Sequence, residues 1–451
     1  MTPQTGHPAP GVEAVTTQGT DSDERAVRRK VAAATTIGNF VEWFDSGAYA
    51  IMSATIAGLF FPQYDKTAAL LATWAVFAGG FIARPIGAAF FGRYGDRIGR
   101  NRMLALSVLC MSGATLLIGV LPSYATLGIA APVLLFLLRA VQGFSTGGEY
   151  TGASAFIMEY APEGRRARYA SVVALTVGLA SVAGALTGLV ITSTLSESAL
   201  ESWGWRIPFL LAGPLGLIGL YLRSRIDDTP VFRAMERRDV VQDAPLRGAW
   251  RACRRQILTL FGYSITNAVS YYLMSSYMIA YMSEEVGYTK SQAMLTSVIA
   301  MLAYSVACPV MAAASDRFGR KPMLLAACVG FAVTTLPAFW LIGRGLGGAI
   351  AGTAVLAVLV SVIGTSNVPA MVEMFPAQLR ASGSAIGYTA AYVLFGGTAP
   401  FVATGLVSLA GTPLAPGFYL MALAAVSAVV VLCSFRETLH LPLNRTTVLE
   451  R

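Results

Sequence analysis

The chain has 451 residues, 55% of them hydrophobic and only 13% charged, against roughly a quarter charged in a soluble globular chain. That deficit excludes a string of water-facing domains as the reading of this length, and the 45 glycines suit helices that approach closely in lipid. The net charge of +9 would suit a nucleic-acid binder, but its placement along the chain gives a different explanation.

Residues 1–24 are rich in Thr, Pro, Gly, Gln and Asp and read as a disordered tail, with a basic run (Arg25, Arg28, Arg29, Lys30) carrying the tail to residue 30. No short apolar stretch with a small-residue cleavage site opens the chain, so no signal peptide is expected. Twelve segments are then long and apolar enough to cross a membrane, which takes about 20 residues: 31–61, 68–91, 103–121, 129–158, 169–194, 206–223, 256–282, 291–313, 323–343, 347–371, 383–409 and 416–434. No alternating pattern calls for strands. The expected fold is an all-α membrane protein with an N-terminal six-helix bundle (31–223), a polar linker (224–255) that reads as a solvated linker helix, a C-terminal six-helix bundle (256–435) and a tail (436–451).

Lys and Arg set the orientation, because they concentrate on the cytoplasmic side. With the N-terminus inside, 27 of the 33 fall on inner segments and 4 outside (Lys66, Arg206, Lys290, Arg344), while Arg84 and Arg139 lie within spans. A multi-pass protein of the cytoplasmic membrane with both termini inside is predicted, and the basic charge needs no nucleic acid. The five cysteines are scattered singly and the two histidines, His7 and His440, lie near the ends. Neither a metal site nor a disulfide framework is indicated, and proton chemistry within the membrane falls to carboxylates or tyrosines.

The two halves repeat each other. Between spans 2 and 3 stands a loop with Gly92, Asp96, Arg97, Gly99 and Arg100; between spans 8 and 9 stands one with Asp316, Arg317, Gly319 and Arg320. The shared D-R-x-G-R core is offset by 220 residues. A second pair follows spans 4 and 10, Glu159-x-x-Pro162-x-x-x-Arg166 and Glu373-x-x-Pro376-x-x-x-Arg380. Positive-inside anchoring alone does not duplicate an ordered pattern; parallel repeats about an axis along the membrane normal do. Glycine permits the tight turn, and the aspartate can sit at a helix N-terminus.

Charges inside spans cost about 2.5–3.5 kcal/mol each at the helix centre. Five stand well inside: Glu42, Asp45, Arg84, Arg139 and Glu149, all in the N-terminal half. At 1.5 Å rise per residue, Glu42, Arg84 and Glu149 lie about 17, 11 and 14 Å from the inner ends of their spans, so the three can meet. Glu42 and Asp45 share a face, with Asn39 one turn below, and Arg139 lies nearer the midplane. A desolvated carboxylate can load a proton near neutral pH, and a substrate carboxylate competing for a nearby arginine would link the two events. Glu42, Asp45 and Glu149 are the proton-coupling candidates; Arg139 and Arg84 are the anion anchors. The competing reading is a static pair that ties helices together, with snorkelling open to Arg84.

Span 4 carries small-xxx-small spacings at Gly143/Gly147 and Gly148/Gly152, which point to close packing. Span 7 sets Asn267, Tyr271 and Met274 on one face beside Tyr272, and Tyr388 and Tyr392 are i,i+4 in span 11. Core packing is the ordinary reading of Tyr and Met. Asn and several hydroxyls in a lipid-embedded helix point instead to a wet cavity. Tyrosine faces, with Trp43 and Tyr150 as further candidates, can hold a quaternary ammonium by cation–π attraction.

Taken together, Gly38-Asn39-Phe-Val-Glu42-Trp43-Phe44-Asp45, Arg84-Pro85, Gln142-Gly143-Phe-Ser-Thr-Gly147-Gly148-Glu149-Tyr150 and Trp203-Gly204-Trp205-Arg206-Ile-Pro208-Phe209 resemble the metabolite:proton symporter branch of the major facilitator superfamily. The likeness runs from about Asn39 to about Arg436. Within the branch, Gly148–Ser154 and Thr266-Asn267 followed by Tyr271-Tyr272 are most similar to the carriers of proline and betaine. The resemblance implies alternating access and proton-coupled symport of a small zwitterionic osmolyte, driven by a proton gradient with no cofactor. It also implies a lipid-embedded chain that is monomeric as the transport unit. Span 11, with Gly383-Ser-Ala-Ile-Gly387-Tyr388 and Phe395-Gly396-Gly397, resembles equally the branch's carriers of small carboxylic acids such as 2-oxoglutarate, citrate or shikimate, and that alternative stays open. An enzyme or ATP-driven pump finds no HExxH, GxSxG or GxxxxGK[ST] motif. A non-transporting sensor on the same scaffold is the remaining reading.

Overall fold

A computed structural model describes residues 36, 39–44, 47–98, 100–147, 150, 154, 157–158, 161–224, 245–377 and 379–443. The described residues are helical throughout, with short connections and no strand. That is the outcome expected where no water is at hand to satisfy an open backbone. Among the described residues, twelve long helical segments follow in chain order, besides short helical turns at Tyr124–Leu127, Glu197–Ser202 and Gly204–Arg206. α1 comprises the helical residues among 36–51 and Ser53–Phe60; α2 is Lys66–Ile98, α3 Arg100–Val120, α4 Ala130–Ser145 and α5 Arg166–Thr194. α6 is Ile207–Ser224, α7 Pro245–Tyr272 continuing to Val286, α8 Lys290–Phe318, α9 Arg320–Ile342 and α10 Leu346–Glu373. α11 runs from Arg380–Ala391 through Ala399–Ala410, and α12 is Ala415–Ser434.

The expected spans and the observed helices coincide, with two differences. α4 leaves regular helix at Thr146 and Gly147, and helical residues resume at 150, 154 and 157–158. α7 begins at Pro245, inside the segment expected as linker, and bends at Cys253, whose φ of −123° leaves the helical region. Residues 225–244 of that segment lie outside the described residues.

Packing explains several glycines. A Cβ on Gly143 would collide with the carbonyl of Gly80, and one on Gly147 with the backbone of Arg84 and Ala88, so α2 and α4 touch backbone to backbone. Gly148 and Gly152, the second expected pair, lie outside the described residues. Between the halves, α5 packs along α8 and α2 meets α11. A Cβ on Gly178 of α5 would run into Ser305 and Tyr304 of α8. Two regular helices give way to π turns: Leu273–Tyr277 and Met282–Val286 in α7, and Tyr392–Gly396 in α11. Such wide turns are rare and cluster at functional sites. Those at Leu273–Tyr277 and Tyr392–Gly396 flank one chamber.

Candidate functional site

The chamber lies where the halves meet. Trp43 of α1 is its hub: the indole packs edge-on to Tyr150 and to Tyr271 (centroids 6.2 and 5.1 Å apart) and is stacked 6.2 Å from Tyr272. Tyr272 also meets Phe77 and Phe81 of α2 and Tyr392 of α11. Tyr150 stacks on Tyr388 at 5.0 Å with planes 12° apart, and Tyr388 stacks on Tyr392 at 4.1 Å. The aromatic residues predicted from sequence therefore come together as one cluster contributed by both halves.

Their polar groups are set by a few hydrogen bonds. Asn39 donates through Nδ2 to the Val173 carbonyl on α5, and its Oδ1 accepts from the Trp43 indole at 3.1 Å. Its amide orients Trp43 and ties α1 to α5. Asn267 donates to the Tyr392 hydroxyl at 2.9 Å, joining α7 to α11. The Tyr271 hydroxyl shares a hydrogen bond with Ser181 of α5 at 3.0 Å.

The charges gather beside the aromatic ring. Glu42, next to Trp43 in the chain, is buried, with 2% exposure. Arg84 lays its guanidinium over Phe81 at 4.1 Å. Arg139 sits over Tyr49 and Phe77 at 4.5 and 5.0 Å and donates to Gln142, which in turn donates to Thr115 of α3. Phe81 and Phe77, the rings beneath Arg84 and Arg139, both pack against Tyr272. Asp45 and Glu149 lie outside the described residues.

A second constellation lies at the end of the molecule that carries the α2–α3 and α8–α9 connections, here termed the latch end. Asp316 accepts from the backbone N–H groups of Ala167 and Arg168, at 2.9 and 3.0 Å, so a carboxylate of one half caps the N-terminus of α5 in the other. Arg320 donates to Asp316 and makes a two-pronged pair with Glu373 at 3.2 and 3.0 Å. Arg166 reaches the same carboxylate at 3.5 Å. Gly319 takes φ +101°, and a side chain there would strike Glu437. Arg317 is exposed and lies over Phe318. In the first repeat, Gly92, Asp96 and Arg97 fall in the last turns of α2 and Arg100 opens α3, while Gly99 lies outside the described residues.

Sequence reasoning passed over Glu373, Arg166, Arg380, Glu437 and Thr438 as site residues. The segment after α12, expected as a plain tail, braces the latch: Glu437 accepts from the N–H groups of Arg320 and Lys321, and Thr438 donates to Glu373. The Leu441 carbonyl accepts from Arg166 and that of Leu443 from Arg380. The duplicated Glu-x-x-Pro-x-x-x-Arg motif was the available signal, since it contains Arg166, Glu373 and Arg380. At the opposite end the halves are joined by exposed pairs, Lys66 with Glu284 and Lys290 with Glu197 at 3.3 Å.

Comparison with known proteins agrees with this architecture. The sequence model of the family described as "Sugar (and other) transporter" matches twice, at residues 31–245 and 235–449, once for each half. A proline/betaine transporter of Escherichia coli K12 is 37% identical over 93% of this chain and 85% of its own. An alpha-ketoglutarate permease from the same strain is 35% identical over 93% of this chain and 96% of its own. In fold, the chain resembles a partially occluded inward-open xylose transporter of E. coli, with a TM-score of 0.73 at 16% identity, covering 92% of this chain and 99% of that one. It is an integral multi-pass membrane protein and not an enzyme, and it belongs to the sugar (and other) transporter family of the major facilitator superfamily.

Proposed function

We propose that this chain carries a small zwitterionic osmolyte of the proline or glycine betaine type across the cytoplasmic membrane together with a proton, by alternating access. The observation that carries the reading is the aromatic chamber of Trp43, Tyr150, Tyr271, Tyr272, Tyr388 and Tyr392 with Arg84 at its edge. Aromatic faces attract a substituted ammonium, and a guanidinium matches a carboxylate. One chamber thus offers both halves of a zwitterion, and relatives named for proline and betaine support the choice.

Glu42 is the proton carrier within reach of the chamber, with Asp45 and Glu149 its partners in that role. Arg139 tunes the field from behind Phe77. No cofactor is required, because the proton gradient supplies the driving force. The transport unit is a single chain, since both halves of the chamber come from it. The excess of Lys and Arg at the latch end supports a cytoplasmic latch, with both termini on that side.

Proteoliposome uptake of labelled proline and glycine betaine, each in competition with 2-oxoglutarate, tests the cargo. Saturable osmolyte uptake that rises with an inward proton gradient is expected. Uptake of the acid alone would replace this reading with the carboxylic-acid alternative, and no uptake of either would favour a sensor. Glu149→Gln and Glu42→Gln test the coupling: each should abolish gradient-driven accumulation while sparing exchange.

A further inference from the structure

A small void is lined by the aromatic Trp43, Tyr271 and Tyr272 and by Ser181, Ser275 and Ser276, with Gly47, Ile51 and Ala185 completing it. It measures about 20 Å³, room for roughly one water. The lining combines two chemistries. Trp43 and Tyr272 present rings. The serines add hydroxyls: Ser181 donates to the Val177 carbonyl at 3.0 Å and shares a hydrogen bond with the Tyr271 hydroxyl at 3.0 Å, which leaves its oxygen one lone pair to accept with, and the Ser275 and Ser276 oxygens lie 3.3 Å apart. The π turn Leu273–Tyr277 brings two consecutive serines to the lining. Among the described residues, no carboxylate or other charged side chain lines the void.

A fully N-methylated ammonium has no N–H to donate. It is satisfied by ring faces alone, and hydroxyls give it little. A secondary ammonium carries two N–H groups, and each costs free energy when it is desolvated without an acceptor. In this void the acceptors are neutral hydroxyl oxygens. We propose that Ser181, Ser275 and Ser276 form a specificity-determining hydroxyl wall that admits N–H-bearing cargo, while the aromatic wall alone serves fully methylated cargo. The assignment rests on the zwitterion reading above and names which groups divide its two cargo classes.

Its test is the selectivity ratio, KM for proline over KM for glycine betaine, measured in proteoliposomes for the wild type, Ser181→Ala, Ser276→Ala and the conservative Ser181→Thr. Each alanine variant should raise the ratio by about tenfold, the weight of one hydrogen bond to a charged group. Ser181→Thr, which keeps the hydroxyl, should return the ratio to within about twofold of the wild type. A ratio unchanged in both alanine variants overturns the hydroxyl wall, as does an equal rise in both KM values, which would mark the serines as merely structural. Wild-type uptake of 2-oxoglutarate with neither osmolyte would remove the zwitterion reading itself, and this inference with it, before any variant is compared.

Discussion

The two ends of the molecule close in different ways. At the latch end, Arg320 and Glu373 are fully buried, Asp316 caps a helix across the halves, and the segment after α12 braces both. At the opposite end, Lys66 is 80% exposed against a Glu284 that is 14% exposed, and the Lys290–Glu197 pair faces solvent. Both ends rely on opposite charges, but water decides what each pair is worth. Breaking a buried pair from one side leaves a charge with no compensation, at about 3–5 kcal/mol. An exposed pair contributes about 0–1 kcal/mol and weakens with salt. The latch is therefore a committed closure and the opposite end a lightly held one. A chain that alternates between them needs cargo or proton binding chiefly to release the latch.

The largest expected effect comes from Glu373→Gln. The amide keeps the shape but leaves Arg166 without its counter-charge, and Arg320 with Asp316 alone, in a buried site. Arg166 belongs to the other half and is relieved only when the latch opens. The distribution of distances between spin labels at Glu163 and Arg317, both exposed on the two sides of the latch, should shift toward the open form by tenfold or more. Adding Arg166→Met, which removes the stranded charge, should reverse much of that shift. A distribution unchanged in Glu373→Gln would show that the buried network does not hold the latch closed.

A smaller effect is expected at the opposite end. Lys66→Gln combined with Lys290→Gln removes both pairs and should favour opening there by no more than about thirtyfold at low salt. In the wild type, raising the salt from 0.05 to 0.5 M (roughly a threefold drop in Debye length) should mimic the double variant, and should leave the latch distances alone. Labels at Ser198 and Arg344 report this end. Equal salt responses at the two ends would erase the contrast.

Much of this was legible from residues alone. Lipid solvent makes helix the default, so apolar length sufficed to place the spans, and Gly143 and Gly147 foretold close packing of α4, though not that α2 is its partner. Span 7 with Asn267, Tyr271 and Tyr272, and span 11 with Tyr388 and Tyr392, each displayed their faces by helical spacing. Sequence could not show that these faces meet Trp43 across the halves, because that depends on how the two bundles pack. Ser181 and Ser275 were illegible for another reason: serine is common in such helices, and only the π turn and the α5–α7 approach give these two a shared wall. Glu437 and Thr438 lay beyond the last apolar span, where hydropathy is silent. Their role comes from the return of the chain onto α9.

The smallest expected effect concerns pH at the lightly held end. Burial raises the Glu285 carboxyl above its ordinary pKa of 4.5, neighbouring Glu284 raises it further, and Lys66 offsets part of the rise. Opening this end returns Glu285 to water and removes the first cause. The closed form then binds a proton more readily than the open form. As pH falls through the raised value toward 4.5, the closed form should gain, and the gain should be complete below that point. Because Glu285 stays largely exposed, the shift should be a small one, well under tenfold. The difference between wild type and Glu285→Gln in the Ser198–Arg344 distances, followed from pH 7 to pH 4 (a span of about three decades in proton activity), isolates it from every other titrating group. A wild type that opens on acidification relative to Glu285→Gln would mean that Lys66, not burial, governs this carboxyl, and that the outer pairs hold the end more firmly than their exposure suggests.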